Sequence, residues 1–252
     1  MIKATEVKSQ LNTHEAVRGD DKPTIYKWDL EDEEPTIYEE GMFDHIKVNN
    51  EKPTMPFEDC FQEGMGTEQL APLLYSLIRF LRPQRILEIG LGYTTPFLVE
   101  GLENNEQLHI DGNADIEYLK KLYNPKIICI DDMSDKESSA SQAALKYKNN
   151  KYVTVIESFF QGKAQEIKDK FGMIDFAWFD CGGPKEYGEF IKEYLPICSG
   201  YVLFHYTYYK GKPNHNFTEI KNYISSEHWE QINMIEPHKY RQGSFTMIKR
   251  RM

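Results

Sequence analysis

Five short apolar runs, at residues 85–89, 126–130, 152–156, 173–179 and 201–204, alternate along the chain with stretches whose apolar residues recur at helical spacing. This alternation constrains the fold more than any other feature. A strand, a helix and a second strand return the chain to the same sheet in the same direction, so repetition builds a parallel sheet with helices on both faces. Leu70, Leu73, Leu74, Leu77, Ile78 and Leu81 mark the helix before the first run, and Arg82-Pro83 stops it. Residues 95–102 suit a second helix and residues 164–170 a short one. Ser134 with Glu137 forms a capping-box pattern for a helix reaching about Tyr147. Pro184 after Gly183 opens another, with Tyr187, Phe190, Ile191, Tyr194 and Leu195 on one face. Asn216 and Glu219 suit a further start, with Phe217, Ile220, Tyr223 and Ile224 inward. The last extended runs, 229–235 and 244–249, have no helix between them and predict an antiparallel hairpin at one edge. The expected fold is α/β, a doubly wound, mostly parallel seven-stranded sheet with a terminal antiparallel hairpin.

A chain of 252 residues has room for one enzyme-sized domain and a small appendage. Residues 1–60 read as that appendage, an N-terminal arm or lid. They hold the acidic stretch 29–34, prolines at 23, 35, 53 and 56, and aromatics without a clear period. The domain proper is expected over 61–252, with an insertion at 104–124 that is helical around 116–122. Forty Asp and Glu against thirty Lys and Arg leave a net charge of −10, which argues against a binder of nucleic-acid backbones. No run approaches the roughly 18 apolar residues that span a bilayer, and the N-terminus lacks an apolar signal core. A cytoplasmic protein with no membrane partner is expected. Cys60, Cys129, Cys181 and Cys198 are far apart, so zinc-ribbon and C-x-x-C redox readings have no support.

In open α/β sheets ligands sit beyond the carboxyl ends of the strands, near the point where strand order reverses. Four strand ends here carry residues suited to that. The first is Glu88-Ile89-Gly90-Leu91-Gly92-Tyr93-Thr94-Thr95, where glycines allow a tight turn and close backbone approach before a helix N-terminus. Asp131-Asp132 follows the second strand, and a carboxylate there can accept hydrogen bonds from two neighbouring hydroxyls. Asp180 ends the fourth strand, and His205-Tyr206-Thr207-Tyr208-Tyr209 follows the fifth.

Together, and in this order, these segments resemble the class I S-adenosylmethionine-dependent methyltransferases over residues 65–249. The resemblance implies that Glu88, Gly90, Gly92, Tyr93 and Thr94 wrap the methionine part of S-adenosylmethionine, and that Asp131 or Asp132 holds its ribose. It also implies that Ser158 and Phe159 line the adenine and that Asp180 falls on the family's fourth motif. The segment 242–246 is similar to its reversed last strand. Within the class, Met65-Gly66-Thr67 and Gly92-Tyr93-Thr94 resemble the small-molecule O-methyltransferases related to the catechol and caffeoyl-CoA enzymes, which adds Met65 and Thr67 to the expected cofactor contacts. Those enzymes hold magnesium with an acid at the Asp180 position and an Asp-Asn pair after the fifth strand. This chain has His205-Tyr206 there, and hard cations want several oxygen ligands, so no metal is expected.

Methyl transfer is an in-line displacement at a sulfonium carbon, so positioning carries much of it. A hydroxyl or ammonium acceptor must also lose a proton. With an ordinary value near 6.5, His205 is the expected general base; Asp180 would orient the acceptor and Tyr206 would wall its pocket. The expected reaction is metal-independent transfer to a small molecule, oxygen ahead of nitrogen, by a protein whose relatives are usually homodimers. The alternatives are N-methylation of a cationic or amino-acid-like acceptor, which the acidic arm would favour, and a non-catalytic S-adenosylmethionine-binding protein. A dinucleotide oxidoreductase would need a third glycine where Thr95 stands and an acid about 20 residues further on; Asp131 comes much later.

Overall fold

The computed structural model describes residues 56–61, 64, 66–107, 115–134, 138–239 and 241–251. Seven strands form one sheet: β1 (Arg85–Ile89), β2 (Lys126–Asp131), β3 (Val153–Glu157), β4 (Ile174–Phe179), β5 (Cys198–His205), β6 (Trp229–Ile235) and β7 (Ser244–Arg250). Their spatial order is β3-β2-β1-β4-β5-β7-β6. Strands β1 to β5 pair in parallel, and β7 runs antiparallel between β5 and β6. The doubly wound sheet with its terminal hairpin is present as expected, and strand order reverses between β1 and β4.

The central strands are covered on both sides, which is why they read as unbroken apolar runs rather than alternating ones. On one face Ile86, Ile127, Cys129, Phe176, Trp178 and Leu203 meet helices α1 (Leu70–Leu81), α2 (Thr94–Asn105) and α4 (Ser139–Tyr147). On the other, Leu87, Ile89, Ile130, Phe179 and Phe204 meet α5 (Ala164–Phe171), α6 (Pro184–Tyr194) and α7 (His215–Tyr223). A further single turn, α3 (Ile116–Leu119), buries no side chain. It occupies part of the expected helical stretch in the insertion. Helices α1 and α2 touch closely because residue 101 is glycine; a Cβ there would stand 2.8 Å from Ile78 Cγ2.

Several boundaries differ from expectation for local reasons. The helix expected from Ser134 begins at Ser139, with the Ser138 hydroxyl accepting the Ser141 N–H as its cap. The Ser134 N–H instead donates to Asp132 Oδ1 (3.1 Å), and Glu137 lies outside the described residues. Asn214, two residues earlier than expected, caps α7 by accepting the Phe217 N–H. The buried stripe of that helix is Asn216, Ile220 and then Ile224, so Tyr223 is turned outward. Strand β5 starts at Cys198 because Gly200 lets it press against β4: a Cβ there would stand 1.9 Å from the Asp175 carbonyl oxygen.

The arm expected over 1–60 lies mostly outside the described residues, but its end belongs to the domain. Packing divides the chain between Thr54 and Met55. Cys60 is fully buried, Phe57 packs edge-on to Phe97 at 5.0 Å, and Phe61 to Tyr93 at 5.3 Å. Among the described residues no helix is long and apolar enough to cross a membrane.

Candidate active site

The turn after β1 is built on a buried acid. Glu88 lies in register between Cys129 and Trp178 and has no solvent exposure. Its carboxylate accepts the hydroxyls of Thr94 (2.7 Å) and Thr95 (2.9 Å) and the Cys129 thiol (3.3 Å). Thr95 Oγ1 in turn accepts the Gly92 N–H at 3.2 Å. Glu88 therefore braces the loop and the first turn of α2 from below. Burial pushes its carboxyl up to about 7, against the pull of its three donors. Gly90 turns with φ +86°, and a Cβ there would meet the Asp180 carbonyl oxygen at 2.3 Å. Only glycine lets β1 and β4 end so close together.

Asp131 reaches from the end of β2 to that turn. Its Oδ2 accepts the Leu91 N–H (3.1 Å) and its Oδ1 the Met133 N–H (2.9 Å). A carboxylate offers about four acceptor sites, so these two bonds fix its orientation and leave capacity for a pair of hydroxyls. Burial raises its carboxyl above the usual range. Asp132 is exposed and caps its own turn. The Ser158 N–H donates to the Asp131 carbonyl (2.9 Å), and Phe159 beside it is 70% exposed. A bare aromatic face at the end of β3 suits stacking on a planar base.

Across the reversal point, Asp180 and His205 form an ion pair, with Asp180 Oδ1 2.6 Å from His205 Nδ1. His205 Nε2 lies 2.6 Å from the Gln242 carbonyl oxygen. A carbonyl only accepts, so Nε2 carries a proton, and a second proton must lie between Nδ1 and the carboxylate. His205 is thus an imidazolium clamped at both nitrogens. Burial opposes its charge, but the Asp180 carboxylate and the Gln242 carbonyl outweigh that, and its pKa is raised. The His205 side chain is 3% exposed against 27% for Asp180. The residue expected to be the base has no open nitrogen, and the acid beside it is the solvent-accessible member of the pair.

Tyr206 holds φ +46°, a strained conformation for a tyrosine. It is over-determined by three bonds: its N–H donates to the Ser244 carbonyl, and its own carbonyl accepts from the side-chain amides of Asn214 and Asn216. Thr67 and Tyr93 are buried, and the Thr67 hydroxyl, the Tyr93 hydroxyl and the Trp178 indole N–H have no hydrogen-bond partner among the described residues. Met65 lies outside the described residues. Of the expected site residues, the structure brings Gly90, Gly92, Asp131 and Asp180 to one rim, and places Glu88, Thr94 and Tyr93 beneath it. Sequence reasoning missed the roles of Gln242 and Ser244, which act through main-chain and hydroxyl groups far along the chain. Among the described residues no three His, Cys, Asp or Glu side chains gather as a metal-ligand group.

No protein-family model matches the sequence, and no curated protein matches it. Solved structures do match. The O-methyltransferase of Bacillus cereus in complex with S-adenosylhomocysteine aligns with a TM-score of 0.53 at 15% identity, over 78% of this chain and 84% of that one. A methyltransferase of Podospora anserina bound to the same molecule aligns at 0.51 and 17% identity, over 73% of this chain and 79% of that one. Likeness at such identities speaks for architecture. The chain has the Rossmann-like fold of the class I S-adenosylmethionine-dependent methyltransferases.

Proposed function

We propose that this protein transfers a methyl group from S-adenosylmethionine to a small-molecule acceptor, oxygen ahead of nitrogen, without a metal ion. The observation that carries this reading is the rim itself. A glycine turn, an oriented carboxylate with spare acceptor sites, an exposed aromatic and a second acid stand at the ends of four adjacent parallel strands. The neighbours solved with S-adenosylhomocysteine support the same cofactor. The residues fit it: Asp131 for the ribose hydroxyls, Phe159 for the adenine, Gly90 and Gly92 for close backbone approach, and the unpartnered hydroxyls of Thr67 and Tyr93 near the methionine end.

When bound, that cofactor supplies an electrophilic methyl group, and the chain's task is to align and deprotonate the acceptor. Asp180 is the member of the ion pair that reaches the cleft, so it receives the acceptor's hydrogen bond and proton. His205 acts as a positioning residue: its two engaged nitrogens tie the Asp180 carboxylate to the Gln242 carbonyl and hold it aimed. Strained Tyr206 fixes the start of the acceptor wall.

Calorimetric titration with S-adenosylmethionine and S-adenosylhomocysteine, in EDTA and with NAD as control, tests the reading. Micromolar binding of both sulfur compounds and none of NAD is expected. Failure of both would remove the proposed function and leave the fold. Binding or turnover that disappears with EDTA would refute metal independence.

A further inference from the structure

The loop joining β6 to β7 touches the site at two places that nothing in the proposed chemistry requires. Lys239 Nζ lies 2.5 Å from Glu68 Oε2 and 3.5 Å from Glu236 Oε2. Lys239 and Glu68 are 23% and 19% exposed, so the pair is poorly screened. Burial works against the Glu68 charge, yet the Lys239 ammonium outweighs it and holds the carboxyl below its usual range. Three residues on, Gln242 presses against Gly66, where a Cβ would stand 2.1 Å from Gln242 Cβ. The same Gln242 gives its carbonyl to His205 Nε2. The described residues of the loop are bonded to one another: Glu236 N–H donates to the Gly243 carbonyl at 2.6 Å, Lys239 N–H donates to the Glu236 carbonyl, and residue 243 leaves room only for glycine between the Glu236 and Lys239 side chains. Gly66 and Glu68, either side of Thr67 at the entrance to α1, are thereby tied through one short loop to the imidazolium at the end of β5.

We propose that Lys239 is a positioning residue which, by pairing with Glu68, locks the 236–243 loop and so couples the cofactor-side turn at Gly66-Thr67 to the His205–Asp180 pair. This rests on the methyltransferase reading for the identity of the ligand, but not for the coupling. With the pair intact, the Gln242 carbonyl is held against His205 and Thr67 is held under the rim. With it broken, the loop keeps the Gln242 contacts and the packing of Arg241 on Tyr209 but loses its ion pair to the entrance of α1.

The test compares wild type with Lys239→Met, Glu68→Gln, Lys239→Arg and the exchanged pair Lys239→Glu with Glu68→Lys. Two readouts are taken: S-adenosylhomocysteine affinity by calorimetry, and solvent exchange of the His205 Nε2 proton by NMR. Lys239→Met and Glu68→Gln should each weaken binding roughly 10-fold, the order expected when a half-buried pair that orders a site is broken. Both should also speed exchange of the Nε2 proton. Lys239→Arg should stay close to wild type, and the exchanged pair should recover much of the loss. Wild-type affinity in both single variants would overturn the proposal, even if their melting temperatures fell, because the pair would then be structural only. If wild type itself binds no S-adenosylhomocysteine, the functional reading has failed; the coupling is then judged on the Nε2 proton alone, and unchanged exchange in Lys239→Met and Glu68→Gln overturns it.

Discussion

Glu88 sits in an apolar layer between Cys129 and Trp178, and its carboxyl is lifted to about 7 by that burial. A folded-state value above the unfolded one means that the native protein keeps a proton which the unfolded chain gives up. Stability attributable to this group is therefore fully present below pH 4.5 and falls as pH rises to about 7. Glu88→Gln cannot titrate, so urea unfolding from pH 4 to pH 8 should show wild type losing on the order of 3 kcal/mol relative to the variant. Parallel stability curves would show that Glu88 ionises without cost. His205 has the same sense over a higher range of pH. Its raised value means its ion pair stabilises fully below its ordinary 6.5 and is lost as pH rises through the higher folded value. A histidine acting as base would make kcat fall as pH drops through that raised value. With both nitrogens of the imidazolium engaged, kcat should not fall as pH drops through that value. An acid limb that vanishes in His205→Gln would restore the base role. In the sequence, His205 and Asp180 could both be picked as polar groups after apolar runs. Which of the two faces the cleft could not, because that depends on the Gln242 carbonyl, 37 residues past His205.

At the scale of elements, what was legible was whatever a local pattern decides. The strands β1, β2 and β4 announce themselves as apolar runs, and α1 and α6 by helical spacing. Elements whose limits depend on a partner strand or on a competing cap were misplaced. Strand β5 hides its first residues because Cys198-Ser199-Gly200 looks like a turn, whereas Gly200 is there to let β5 ride against Asp175. Helix α4 starts at Ser139 rather than at Ser134, where the Asp131 and Asp132 carboxylates capture the N–H groups of Met133 and Ser134. The packing of Phe57 and Phe61 on Tyr93 and Phe97 was illegible because those aromatics carry no period. The Gly90 turn yields a sharp prediction at this scale. Alanine there needs φ near +86° and drives a methyl into the Asp180 carbonyl, so β1 and β4 must part at their ends. Gly90→Ala should lose at least the roughly 1–3 kcal/mol of a left-handed non-glycine residue and most of its S-adenosylhomocysteine affinity. A variant that melts and binds like wild type would mean the turn is loose enough to tolerate the clash.

Over the whole molecule, two apolar layers clamp the sheet, one on each face, so the strand ends are held with little freedom while the loops beyond them carry the chemistry. A ligand lying along the rim from Phe159 to Asp180 would bridge β3, β2, β1 and β4, the two halves on either side of the reversal point. Its binding should therefore stabilise the domain as a unit. At 100-fold over the dissociation constant the gain is about 2.7 kcal/mol if the unfolded chain does not bind. Hydrogen exchange can resolve where that gain appears. Adenosine, which lacks the methionine end, should protect the amides near Asp131 and Phe159 and leave the 236–243 loop unchanged. S-adenosylhomocysteine should protect both, because the proposed binding mode sets its methionine end against the Gly66-Thr67 turn, and Gly66 is packed on Gln242. Protection of the loop by adenosine alone would place the ligand differently from the rim described. Protection confined to β2 and β3 with the full ligand would mean that the halves respond separately and that the second acid, Asp180, is not reached.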